Sequence, residues 1–195
     1  TDMTTLANPS RARRLAEATR PMHSELDGLI MAGQPFASRE NYARFLRMQY
    51  RLHRAADPLF HHPGYATFLP DLHERRRLPA VMDALIALGV ERPEKETSPF
   101  ASGIDNATGL GWLYVVEGSN LGAAILLKLA AKLELGPAFG ASHLATPEDG
   151  RAGHWRGFVS ALDAAELDED EERRAVEGAQ TAFSHAVLLT RECFA

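Results

Sequence analysis

His23 and Asp27 stand four residues apart in EATRPMHSELD, residues 17–27. On a helix this spacing places imidazole and carboxylate on one face. A histidine that binds a metal commonly gives its other ring N–H to a carboxylate, which fixes its tautomer and orientation, and Asp27 is placed for that directly or through water. Taken alone, His23 reads as a surface or satisfied core histidine. Pro21 removes a backbone donor and crowds the preceding turn, so it gives this helix a reason to bend and aim His23 inward. The second unusual stretch is VVEGSNLGAAILLKLAAKL, residues 115–133, which reads as a buried helix yet holds Gly118 and Gly122. Each costs a helix roughly 1 kcal/mol relative to alanine. Two explanations stay open: close packing of another helix, or close approach of a flat ligand to bare backbone. Spacing alone favours helix packing. The polar pair Ser119 and Asn120 between apolar turns shifts the balance, because it can hold ordered water beside a ligand.

Other chemistries find little support. No histidine has a glutamate three residues before it, so the Glu-x-x-His pairs of di-iron bundles are missing. His-Glu-x-x-His is missing too, and the adjacent His61 and His62 point to different sides of a helix end. GSNLGAA, residues 118–124, lacks the Lys-Ser/Thr ending and the preceding strand of a phosphate loop, and Ser119 is in no Gly-x-Ser-x-Gly elbow. Cys193 is the only cysteine, which excludes a disulfide framework, a cysteine zinc cluster and Cys-x-x-Cys-His attachment.

The elements that must position these residues are helical. Apolar residues recur at spacings of three and four, with prolines and glycines between the periodic segments. The pattern predicts an all-α, single-domain, multi-helical fold. Its helices span about 10–31, 39–60, 65–69, 73–88, 105–134, 139–144, 151–165 and 168–193. Ser38 and Asp168 are the expected N-caps of two of them, and Glu169 to Glu172 suit the positive end of a helix dipole. One domain over 1–195 is expected, with 1–9 a disordered N-terminal tail. The net charge of −5, with both signs mixed along the chain, provides no basic field for nucleic acid. The opening TDMTTLANPSRARR has no signal-like apolar core, and the longest apolar run, Leu121 to Leu127, is far shorter than a membrane span. A cytoplasmic protein without membrane contact is the expectation.

Taken together, EATRPMHSELD, PFASRENYARFLRMQY, GWLYVVEGSNLGAAILLK and AQTAF resemble the heme oxygenase family, most of all its bacterial iron-acquisition members. The resemblance spans nearly the whole chain. It implies heme b between a proximal helix carrying one histidine ligand and a distal helix flexing at glycines. His23 becomes the axial ligand, supported by Asp27, and Gly118 and Gly122 let the distal backbone lie close over the porphyrin. Ser119 stands where animal relatives carry an aspartate, so the distal water must be organised differently, with Asn120 as a candidate. Tyr114 matches an aromatic position near a propionate, and Phe183 matches a phenylalanine packed on the ring. Arg20 and Arg156 are the chosen propionate cations, because burying a bare carboxylate is costly. Relatives that cleave away from the α position anchor a rotated heme with lysines; Met31 and Leu129 stand at those places here, which favours the α isomer.

The implied reaction is cleavage of heme by O2 and electrons to biliverdin, CO and ferrous iron. Its electrons come from a reductase or ferredoxin, since the chain has no flavin or nicotinamide motif. A monomer that binds heme and no nucleic acid is implied. Two rivals are a heme carrier or sensor binding through His23 without chemistry, and a thiaminase-like helical hydrolase, for which Cys193 is poorly placed.

Overall fold

In the computed structural model, which describes residues 8–195, Arg11–Ala32 forms α1 and Arg39–Phe60 forms α2. Leu78–Ala87 forms α3, Asn106–Ala131 α4, Arg151–Ala164 α5 and Glu169–Cys193 α6. Single 3-10 turns lie at Pro63–Tyr65, His73–Arg75 and Ser142–Leu144. The all-α architecture is thus observed. The disordered tail expected at 1–9 falls mostly outside the described residues.

Local chemistry sets most boundaries. Ser10, Ser38, Asp105 and Asp168 each accept a backbone N–H from the first turn of α1, α2, α4 and α6. Asp168 and Glu171 complete a reciprocal capping box. Pro21 stands inside α1 without interrupting it. Where the sequence predicts one helix over 73–88, the chain forms a turn at His73–Arg75 and starts α3 afresh at Leu78, with Pro79 in its first turn. A proline accepts that position because it has no N–H to leave unpaired. The predicted 105–134 helix stops at Ala131, and Glu134 then takes a left-handed conformation at φ 60°. Gly140, at φ 79°, likewise confines the predicted 139–144 helix to Ser142–Leu144. Pro63 draws the predicted 65–69 turn forward to 63–65.

α4 is the axis of the molecule. Its first half is buried, with Leu110, Trp112 and Leu113 among the largest fully enclosed side chains. A Cβ on Gly111 would collide with the Ala175 carbonyl, and one on Gly178 with the Thr108 carbonyl. These two glycines let α4 and α6 pack backbone to backbone. Among the described residues α4 alone is long and apolar enough to cross a membrane, but half of that window is buried inside the fold. Buried Arg11 closes the bundle: it pairs with Glu172 at 2.7 Å and donates to the carbonyls of Leu162 and Ala165. That ties the start of α1 to the end of α5 and the start of α6.

Candidate functional site

Beyond Gly118, α4 turns from core to wall. Leu121 and Ile125, one turn apart, are 45% and 67% exposed, although a helix buried on all sides would hide both. They border a largely apolar cavity of about 490 Å3 between α1, α2, α4 and α6, with Trp155 of α5 closing one side. That volume falls in the range of ligand sites.

From α1, His23 and Asp27 reach the cavity. The His23 ring is stacked on Phe183 of α6, centroids 5.3 Å apart and planes 29° apart. His23 Nε2 lies 3.5 Å from Asp27 Oδ2, both side chains mostly exposed, so the pair is long and screened by water. From α4 come Tyr114, Gly118, Ser119 and Gly122. Burial pushes the Tyr114 phenol up, which keeps it a hydrogen-bond donor. The Ser119 hydroxyl donates to the Val116 carbonyl at 2.6 Å, so toward the cavity it offers lone pairs only.

The glycines decide between the two explanations left open by their spacing. A Cβ on Gly122 would meet nothing within 4 Å, and one on Gly118 would reach only the Trp155 ring at 3.6 Å. Neither has another helix's backbone against it, as Gly111 and Gly178 do; Gly118 faces the Trp155 ring and Gly122 open space. Helix packing, which spacing alone favours, is therefore corrected: Gly118 and Gly122 leave bare backbone facing open cavity.

Three expected residues are not brought there. Asn120 points into the protein, 4% exposed, its amide nitrogen without a partner. Arg20 on α1 and Arg156 on α5 are exposed and outside the cavity wall. Among the described residues, His23 and Asp27 are the only titratable acid or base side chains in that wall besides Tyr114. Among the described residues no three His, Cys, Asp or Glu side chains converge as a metal site. A metal here must therefore bring most of its own ligands, as the iron of a macrocycle does, and need one imidazole from the protein.

Several residues went unnoticed in the sequence. Gln49 of α2 lines the cavity, and one turn further His53 is fully enclosed, its pKa lowered to about 4 by burial and by Arg77. His143 is also enclosed, with both ring nitrogens unpartnered, and burial, His53 and Arg77 lower it to about 3. Behind Gly118, Glu117 is buried against Arg75 at 2.9 Å, and burial lifts it to about 7 even so. The four-residue step from Gln49 to His53 is a signal the sequence carries; the partners of Glu117, more than thirty residues away on either side, are not.

Residues 10–192 match the family described as Heme oxygenase. Heme oxygenase PigA of Pseudomonas aeruginosa is 44% identical over 185 residues, 95% of this chain and 93% of that protein. A heme oxygenase of Xanthomonas campestris is 29% identical over 78% of this chain and 90% of its own length. The NO- and CO-bound heme oxygenase of Neisseria meningitidis superimposes with a TM-score of 0.90 at 39% identity, covering 96% of this chain and 93% of that one.

Proposed function

The chain belongs to the heme oxygenase family, and from that premise we propose how its own residues hold heme and direct its oxidation. Heme is both substrate and cofactor, used with O2 and electrons from an external donor. When bound, it supplies the iron that activates O2 and the ring that is opened to biliverdin, with release of CO and iron.

His23 would give the iron its one imidazole from the protein, with its ring steadied by Phe183 and the ring nitrogen not used for the iron free to meet Asp27. Gly118 and Gly122 would let the α4 backbone lie close to the ring and leave a position at the iron open to O2. Ser119, as an acceptor, and Gln49, as a donor and acceptor, order water beside that position; Gln49 takes the part that the sequence reading gave to Asn120. Tyr114 donates near the propionate edge. Because Arg20 and Arg156 stand outside the wall, any propionate pairing with them lies at solvent, where an ion pair is worth little. The ring seat therefore rests on apolar contact and the His23 bond. With Met31 and Leu129 in place of anchoring lysines, the α isomer is the product. The electron donor is a separate reductase or ferredoxin, and the enzyme works as a cytoplasmic monomer.

The room for a side chain at Gly118 and Gly122, on the same cavity as His23, carries this reading. His23→Ala should abolish turnover, and added imidazole should restore it. Full activity of that variant without imidazole would remove the proximal assignment. Chromatography of the bile pigment checks the isomer: a β or δ product would overturn the α assignment alone.

A further inference from the structure

Arg75 is 5% exposed and Glu117 2% exposed, an ion pair taken almost wholly out of water. Such a pair is a poor source of stability, since removing two charges from water costs about as much as their attraction returns. What it can provide is registration. One guanidinium nitrogen of Arg75 donates both to the Glu117 carboxylate, at 2.9 Å, and to the His154 carbonyl, at 3.1 Å. Its Nε donates to Asp71 at 3.0 Å, which fixes the plane of the fork. Gly157 lets the guanidinium come close to α5, because a Cβ there would stand 3.2 Å from it.

The two groups held by Arg75 each precede a cavity residue. Glu117 is followed by Gly118, and His154 by Trp155, whose ring tip is 3.6 Å from the place of a Gly118 Cβ. We propose that Arg75, acting through Glu117 and the His154 carbonyl, is a positioning residue that sets the gap between the α4 backbone and Trp155. That gap decides where the edge of the ring comes to rest, and with it which meso carbon is oxidised. The second half rests on the placement of Gly118 over heme. Asp71, Arg77, His154 and Asp149 are the other charged or titratable groups around the clamp, and His154 lies 3.7 Å from Glu117 and 3.2 Å from Asp149. His154 reaches Glu117 from α5, and Arg151 donates from α5 to the Asn120 carbonyl of α4 at 3.4 Å; Arg75 differs from both in holding the two helices from a third element, the His73–Arg75 turn.

The test replaces both partners, Arg75→Met with Glu117→Leu, so that no buried charge is left unpaired. 5-Fluorotryptophan labelling yields one fluorine resonance each for Trp112 and Trp155. In the heme-free double variant the Trp155 resonance should shift and broaden while that of fully buried Trp112 stays put. During turnover the minor bile pigment isomers should rise several-fold. Arg75→Lys, which keeps the charge but loses the fork, should show the same Trp155 shift in a fold that retains the ion pair. Glu117→Gln, which still offers Arg75 an oxygen, should keep the wild-type pattern. An unchanged Trp155 resonance in the double and Arg75→Lys variants overturns the clamp. A shifted resonance with an unchanged isomer pattern overturns its tie to product choice and faults the placement of Gly118.

Discussion

Gly111, Gly118 and Gly122 share one helix and serve opposite ends. At Gly111 a methyl group would run into the α6 backbone, whereas at Gly122 it would enter empty space. The cost of a side chain should therefore differ in sign between them. Gly122→Ala in the heme-free protein should gain up to about 1 kcal/mol from helix propensity, while Gly111→Ala should lose on the order of 2 kcal/mol from overpacking. Urea unfolding without heme measures both. Larger residues separate stability from function: Gly122→Leu should fold as well as wild type yet bind hemin weakly and fail to degrade it. If Gly122→Leu unfolds readily without heme, the open backbone has a structural partner after all and the distal reading loses its support. Spacing could not make this distinction, because it records that two glycines share a helix face and not what lies opposite that face.

At the scale of elements, helices were legible wherever a cap and a period coincided. Ser38 and Asp168 announced α2 and α6, and both side chains accept the expected N–H groups. Asp168→Ala should lower stability by about 1 kcal/mol in chemical denaturation, and an effect near zero would mean that solvent caps α6 equally well. The segment 73–88 was less legible, because a periodic apolar pattern continues across a proline that the backbone must still accommodate. Of the site, α1 and α4 could be read because His23 with Asp27 and Gly118 with Gly122 each repeat within one helix. Arg75, Trp155, His143 and Gln49 remained hidden among ordinary residues. Their significance comes from which helices cross, a long-range property that no local spacing encodes. Asn120 was misplaced for a related reason: adjacent helical residues point about 100° apart, so only one of Ser119 and Asn120 could face the cavity, and the sequence does not say which.

The whole molecule couples the buried polar groups to pH. His53 and His143 have folded pKa values of about 4 and 3, below their ordinary 6.5, so the unfolded chain takes up their protons first as pH falls. Each therefore stabilises the fold above pH 6.5 and loses that contribution progressively below it. Glu117 runs the other way. Its folded pKa of about 7 exceeds the ordinary 4.5, so the native state keeps a proton that the unfolded chain has released, and stability from this group grows as pH falls from 7 to 4.5. Burial lowers His154 and His185 as well, so these four histidines oppose Glu117 between pH 6.5 and 5, a window above the titration of the ion-paired carboxylates. The heme-free protein should lose stability on acidification at no less than about 1.4 kcal/mol per pH unit, the slope of one uncompensated proton. His143→Leu removes one such proton, and its slope should be shallower than that of wild type by about 1.4 kcal/mol per pH unit. Glu117→Gln removes the compensation instead, and its slope should be steeper than that of wild type by about 1.4 kcal/mol per pH unit at most. Urea titrations at pH 6.5, 5.75 and 5 suffice. A slope in His143→Leu equal to the wild-type one would show that the His143 imidazole takes up its proton as readily in the native state as in the unfolded chain.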